Sequence, residues 1–399
     1  MAWGEVKVMN QRLAFIEECQ AKELKFAEIC RRYEISRKTG YKWLNRYQDD
    51  SINGLADRSR APKTQAGATD DSLIKSILDL KHLHSTWGPK KILGELKRYS
   101  PFLDWPSATT IGNILDRHGL VIRRKYRKRF PKIDTKLVDA ENSNDVWCMD
   151  FKGWSTTKEG VKFDPFTLTD KKSRFLLRCL KLHENNTEHV WAVLELAFRE
   201  YGLPLYLRSD NGPPFASNTA GRLSRLSVKL IKAGVIPQWI EPGNPQQNGQ
   251  HERMHRTMKE EGIIPNRLTL EEQEMKLREF RDYYNFRRPH EALGQQYPGD
   301  VFQSSPRLWS GKLNPIEYTK DYKVGKVRSG GCMCWKGSDV FISRSLEGEY
   351  VGIKENDENH LEVYFGPIIL GNLVDNELKF ERNPSRKKTR IIVDTKIRS

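Results

Sequence analysis

The spacing of apolar residues changes character along the chain. Through the first 48 residues it is helical, and it predicts helices at Arg12 to Ala21, Phe26 to Tyr33 and Arg37 to Tyr47. Ser36 can cap the third, because its hydroxyl can accept from a free N–H of the first turn. A short helix, a tight turn and a Ser-opened helix make a helix-turn-helix pattern. Trp43, Leu44 and Tyr47 fall on the inward side, while Arg37, Lys38, Lys42 and Arg46 lie mostly opposite, where a DNA groove would sit. Residues 49–68 are rich in small, turn-forming and basic residues without periodicity and read as a linker. A second helical unit, helix-turn-helix-like in the same way, occupies 69–122. Its helices are Asp70 to His82, one opened by Gly88-Pro89 and running to Tyr99, and Ala108 to His118, capped by Ser107 and stopped by Gly119.

From residue 140 to 300 the period shifts between strand and helix. Val146 to Phe151 alternates as a strand, followed by strands at Lys162 to Thr169 and Arg174 to Leu180. Helix Thr187 to Tyr201, strand Leu205 to Ser209, helix Asn218 to Ala233, strand Pro237 to Ile240 and helices Gln250 to Glu260 and Thr269 to Phe286 complete the region. Three strands followed by alternating helix and strand predict an α/β arrangement, a mixed sheet covered by helices. Residues 313–380 hold short strands between Gly, Asn and Asp, the pattern of a small β-domain: Tyr322 to Val327, Cys332 to Trp335, Asp339 to Ser343, Tyr350 to Ile353 and Leu361 to Phe365. A basic tail fills 381–399.

Charge narrows the choice of partners. Of 399 residues, 68 are Lys or Arg and 52 Asp or Glu, a net charge of +16, which makes a polyanion the first partner to consider. The basic linker 123–139 concentrates that charge in Arg123, Arg124, Lys125, Arg127, Lys128 and Arg129, with Tyr126 and Phe130 interleaved, and points to phosphate contact. No window approaches the ~18 apolar residues of a membrane span. Glu5, Lys7, Arg12 and Glu17 leave no signal-peptide core, so a cytoplasmic location is expected. Six scattered cysteines fit a reducing compartment, and Cys332 and Cys334 stand too close for the usual zinc spacing.

Three acids stand out by position. Asp150 ends the first strand of the mixed sheet. Asp210 follows the strand ending at Ser209, on a turn that Asn211-Gly212 makes sharp. Glu252 opens a helix after the turn-rich stretch from Pro242 to Gly249. Two strand ends and a helix start can bring three carboxylates to one sheet edge. Such a cluster repels itself unless hard cations fill it.

Asp150 in its strand, Asp210-Asn211-Gly212 with Phe215, and Asn244-Pro245-Gln246 with Gly249 before Glu252 resemble the integrase catalytic core. Retroviral integrases and many insertion-sequence transposases share that core. With two helix-turn-helix units upstream, the chain looks most like an insertion-sequence transposase. The resemblance implies a ribonuclease-H-like fold for the core. It implies Asp150, Asp210 and Glu252 as catalytic metal ligands, with Mg²⁺ as the metal and Mn²⁺ as a substitute. Arg256 and Lys259, on the Glu252 face of the helix, match basic residues that contact DNA in the family. The activity implied is cleavage at the ends of an element and joining of its 3′-hydroxyls to target DNA. The partners implied are double-stranded DNA, both element ends and target, and further copies of the chain in a synaptic complex. His251 and His255 are read as helix-surface residues, and Arg287 to His290 as a structural segment. The chain departs from retroviral integrases in lacking their N-terminal His/Cys zinc module. It also carries a longer stretch between Asp210 and Glu252, placed around Ala216 to Gly234. Two competing readings are a catalytically inactive DNA-binding regulator and a structure-selective nuclease.

Overall fold

The computed structural model describes residues 5–58, 69–121, 137–153, 155–182, 184–241, 244–263 and 268–380. Arg123, Arg124, Lys125, Arg127, Lys128 and Arg129, and the basic tail, lie outside the described residues. The chain forms two compact units, Met1–Thr69 and Asp70–Ser399.

In the first unit, α1 (Glu5–Ala21), α2 (Phe26–Arg32) and α3 (Arg37–Asp50) surround Phe15, Ile16, Ile29, Cys30, Trp43 and Leu55. Ser36 caps α3 by accepting from Thr39 N at 3.1 Å. Gly40 lies inside α3 because the helices converge there. A Cβ at that position would stand 2.8 Å from Cys30 Sγ and 2.9 Å from the Phe26 ring. The helix continues past Tyr47 to Asp50, and a 3₁₀ turn then carries Leu55, placed in the linker by composition, into the core. Arg37, Lys38 and Lys42 are exposed. The Arg46 guanidinium lies 5.1 Å from the centre of the Trp43 ring and the Lys42 ammonium 4.7 Å from it, within the range of cation–π attraction.

The second unit opens with α4 (Asp71–Leu83), α5 (Pro89–Tyr99) and α6 (Ala108–Arg117). Ser107 repeats the Ser36 cap, accepting from Thr110 N at 3.2 Å, and Gly119 ends the last helix at a positive φ. Next come β1 (Val146–Phe151), a minor hairpin of β2 (Ser155–Thr156) and β3 (Lys162–Phe163), β4 (Pro165–Asp170), β5 (Leu176–Lys181), α7 (Thr187–Tyr201), β6 (Tyr206–Ser209), α8 (Arg225–Lys232), β7 (Ile236–Trp239), α9 (Gly249–Glu260), α10 (Leu270–Phe286) and α11 (Pro298–Val301). The helix expected from Asn218 is shorter. Gly221 takes φ +61 there, and Ser224 with Ser227 forms a capping box that starts α8.

The main sheet has the order β5-β4-β1-β6-β7. β5, β4 and β1 are antiparallel neighbours, while β1, β6 and β7 run parallel. This is the ribonuclease-H-like arrangement. Because side chains alternate across a strand, Trp147 and Met149 enter a core with Val190, Leu194, Ala197 and Phe198 of α7. Val146 and Cys148 face the other way. That second face is shared. Toward β4 and β5, Leu176 and Cys179 pack with Met254 and Met258 of α9 and with Leu277 and Phe280 of α10. Toward β6 and β7, a C-terminal sheet covers it.

The C-terminal strands are β8 (Lys323–Lys326), β9 (Cys332–Trp335), β10 (Ser338–Phe341), β11 (Tyr350–Glu355), β12 (Leu361–Phe365), β13 (Ile368–Val374) and β14 (Glu377–Lys379). Five of them form an antiparallel sheet in the order β14-β13-β12-β11-β8, and β9 and β10 form a hairpin. Phe365, Ile368 and Leu370 join Val146, Cys148, Tyr206, Leu223 and Ile231 in one apolar cluster. No helix among the described residues is long and apolar enough to cross a membrane.

Candidate active site

Strand pairing places the first two acids. β1 and β6 are parallel with Cys148 opposite Arg208, so Asp150, two residues further along β1, and Asp210, directly after the end of β6, leave the same end of neighbouring strands. The turn after β6 holds Asp210 out. Gly212 N donates to Asp210 Oδ1 at 3.1 Å, and Asn211 Nδ2 donates to Ile240 O at 2.7 Å. Phe215 anchors the loop, with its ring stacked 5.5 Å from that of Phe151.

Glu252 lies in the first turn of α9. The buried side of that helix carries His251, Met254, His255 and Met258, and its exposed side carries Glu252, Arg256 and Lys259. The sequence places these last three on one face, and the helix does so. Arg256 Nε has Glu260 Oε1 at 3.9 Å, a loose surface pairing. The turn before the helix brings in Asn248, whose Nδ2 donates to Asp150 Oδ2 at 3.1 Å.

Electrostatics couple the three acids. Burial pushes the Asp150 carboxyl up to about 7. The negative charge of Asp210 contributes to that rise, as do those of Asp164 and Glu252, while a bond from the Phe151 N–H opposes it. Asp164 is held by Gly153 N at 2.9 Å and Asn185 Nδ2 at 3.1 Å. Burial raises its carboxyl too. Neither Asp164 nor Asn248 announces itself in the sequence. One is a single Asp before a strand, and the other lies in a polar turn among several amides.

His251 and His255 are not surface residues. They are 1% and 7% exposed, and burial drives their imidazoles down to about 3 and about 2. Among the described residues, one potential metal-ligating group has its atoms within 4.8 Å of one another, and it consists of Asp150, His251 and His255 rather than the three acids. Both His Nε2 atoms are engaged with Thr167 Oγ1, at 2.6 Å and 2.8 Å, so they serve as hydrogen-bonding groups. The last turn of α10 and the residues just after it make structural contacts. Asn285 accepts from Leu176 N at 2.8 Å and donates to Leu176 O at 3.0 Å, pairing the outer strand β5 as another strand would. Arg288 is buried and donates to Thr257 Oγ1 at 3.3 Å.

Comparison with known proteins agrees with this architecture. Residues 140–245 and 233–298 each match an integrase core domain, residues 11–63 a helix-turn-helix domain and residues 39–115 a homeodomain-like domain. The chain is 24% identical over 239 residues to an uncharacterized 39.2 kDa protein of insertion element IS476 from Xanthomonas euvesicatoria, covering 59% of this chain and 64% of that protein. It is 25% identical over 233 residues to an uncharacterized 31.7 kDa protein of insertion element IS407 from Burkholderia multivorans, covering 58% of this chain and 80% of that one. The alignment thus spans just under two thirds of the first relative. The catalytic core domain of BIV integrase aligns with 40% of the chain and 93% of its own length, at 21% identity and a TM-score of 0.30. Helix-turn-helix domains, which imply DNA binding, thus stand ahead of an integrase core on residues 140–298, and over more than half of its length the chain is similar to these two insertion-element proteins.

Proposed function

We propose that this protein is a DNA transposase. It binds the terminal repeats of an insertion sequence, cleaves at the element ends and joins the freed 3′-hydroxyls to target DNA. The observation that supports the reading is that Asp150 on β1 and Asp210 just past β6 leave the same end of adjacent parallel strands, with Asp150 lifted to about 7 by burial and by the charges of Asp210, Asp164 and Glu252. Neighbouring negative charge helps raise the Asp150 carboxyl, and oxygen-seeking divalent cations would reverse that cost. Asp150, Asp210 and Glu252 would hold such ions, Mg²⁺ with Mn²⁺ able to substitute. Bound there, a pair of them would lower the pKa of an attacking water and stabilise the leaving oxygen.

The protein's own groups supply positioning. Asn248 fixes one oxygen of Asp150, and the Gly212 N–H fixes one of Asp210. In the first step a water oxygen bonds to phosphorus, the bond to the 3′-oxygen breaks, and the element end keeps a 3′-hydroxyl. In the second that hydroxyl attacks a target phosphodiester and releases a target 3′-hydroxyl. No covalent enzyme intermediate is needed. Arg256 and Lys259, exposed on the Glu252 face, would contact phosphates beside the acids. Arg37, Lys38, Lys42 and Arg46 of α3 would read the element ends. The six basic residues between Arg123 and Arg129 would add affinity that falls with salt. Both ends must meet in one assembly, so the working form is a multimer on DNA.

Asp150→Asn tests the reading. Strand transfer of native element ends in Mg²⁺ is expected to disappear, while gel-shift binding to those ends persists. Full transfer activity in that variant would overturn it.

A further inference from the structure

Thr167 lies on β4 directly across from Asp150 on β1, and its side chain is completely buried. Its hydroxyl donates to the main-chain oxygen of Asp150 at 3.1 Å. Thr167 Oγ1 also meets His251 Nε2 at 2.6 Å and His255 Nε2 at 2.8 Å. His251 Nδ1 lies 3.2 Å from Thr169 Oγ1.

A hydroxyl has one proton and room to accept two bonds. With its proton given to Asp150 O, Thr167 must accept from both histidines, so both carry hydrogen on Nε2. His251 Nδ1 is then an acceptor facing the Thr169 hydroxyl at 3.2 Å, the shorter of that hydroxyl's contacts, the other being Cys148 O at 3.5 Å. Each of these buried groups thereby has a partner of the right kind, which burial requires. One hydroxyl thus joins the strand that carries Asp150 to the helix that carries Glu252.

His251 and His255 are four residues apart and share a helix face, while Glu252 points about 100° away from His251. Fastening the histidine face therefore fixes the rotation of α9 and the direction in which Glu252 projects. The apolar packing of Met254 and Met258 against Leu176 and Cys179 holds the helix down, but greasy contacts tolerate a small roll better than a directional bond does.

We propose that Thr167, His251 and His255 are positioning residues that set the separation and aim of Glu252 relative to Asp150, and so set the divalent-ion affinity of the acidic cluster. This rests on the reading that the three acids hold divalent ions. None of the three positioning residues is a ligand.

Mn²⁺ titration of the full-length protein without DNA, read by the electron-spin-resonance signal of free Mn²⁺, separates the two ideas. Thr167→Val keeps the shape and removes the hydroxyl. It is expected to weaken Mn²⁺ binding by roughly 10–100-fold, the usual effect of losing an outer hydrogen-bond partner of a metal site. Thr167→Ser is expected to stay close to wild type. Melting in EDTA checks that each variant is folded. If Thr167→Val does not fold, His255→Gln, which retains a donor near Nε2, is compared with His255→Leu, which does not. The leucine variant alone should lose affinity. Wild-type affinity in Thr167→Val, or in His255→Leu where that pair is used, overturns the proposal, and loss of binding in Asp150→Asn alongside it leaves the transposase reading standing. No Mn²⁺ binding by the wild type overturns both.

Discussion

The helices of the two N-terminal modules begin alike. Ser36 accepts from Thr39 N and touches its hydroxyl at 2.9 Å, and Ser107 accepts from Thr110 N and touches its hydroxyl at 3.0 Å. Their cores differ. Phe15, Ile16, Ile29, Cys30, Trp43 and Leu55 all come from the first module itself. The second module completes its core of Ile77, Trp87, Ile92, Ile111, Ile114 and Leu115 with Tyr283 from α10. Trp87 Nε1 donates to Tyr283 Oη at 2.9 Å, and Thr86 Oγ1 donates to Glu261, just past α9, at 2.7 Å. Tyr297 Oη donates to the buried Glu95 carboxylate, and Arg98 pairs with Asp300. A shared motif therefore dictates local shape and says nothing about independence. The second module is physically continuous with the integrase core.

Four substitutions sharpen that contrast. Trp87→Ala removes a fully buried indole together with its bond to Tyr283. It should cost about 3–5 kcal/mol, and calorimetry should place the whole loss in the transition of residues 70–399. A loss in the first unit's transition instead would break the contrast. Tyr297→Phe strips a hydrogen bond from Glu95, a carboxylate that burial already raises. A cost of about 1–3 kcal/mol is expected, again in the second unit, and chemical denaturation measures it. The smallest effects come from the caps. Ser36→Ala and Ser107→Ala should each cost ~1 kcal/mol. Because a small unit unfolds with less entropy, the same energy should lower the melting temperature of the first unit further than that of the second.

Much of this fold can be read from local signals. Ser36, Ser107 and the Thr269–Glu272 capping box start helices where the sequence says they should. The alternation from Val146 to Phe151 marks the strand that ends near Asp150, and Asn211-Gly212 marks the turn at Asp210. What the sequence hides is non-local. His251 and His255 lie on a helix rich in charge, and only the sheet beneath reveals which side is buried. Thr167 looks like any strand threonine until Asp150 is placed opposite it. β13 and β14 were not among the expected strands, since Gly366 and Gly371 interrupt the apolar run there. Gly371 is required by the fold, because its φ is +155 and a Cβ would stand 2.5 Å from Lys379 O.

The two-residue rhythm of β1 has one more result. Val146 and Cys148 project into the apolar cluster capped by Phe365, Ile368 and Leu370, and Asp150 is the next residue on that side. The C-terminal sheet is therefore a foundation under the very strand that presents the first acid. A chain shortened by its C-terminal sheet would forfeit more than an appendage, since the bared aliphatic floor would leave β1 resting on water.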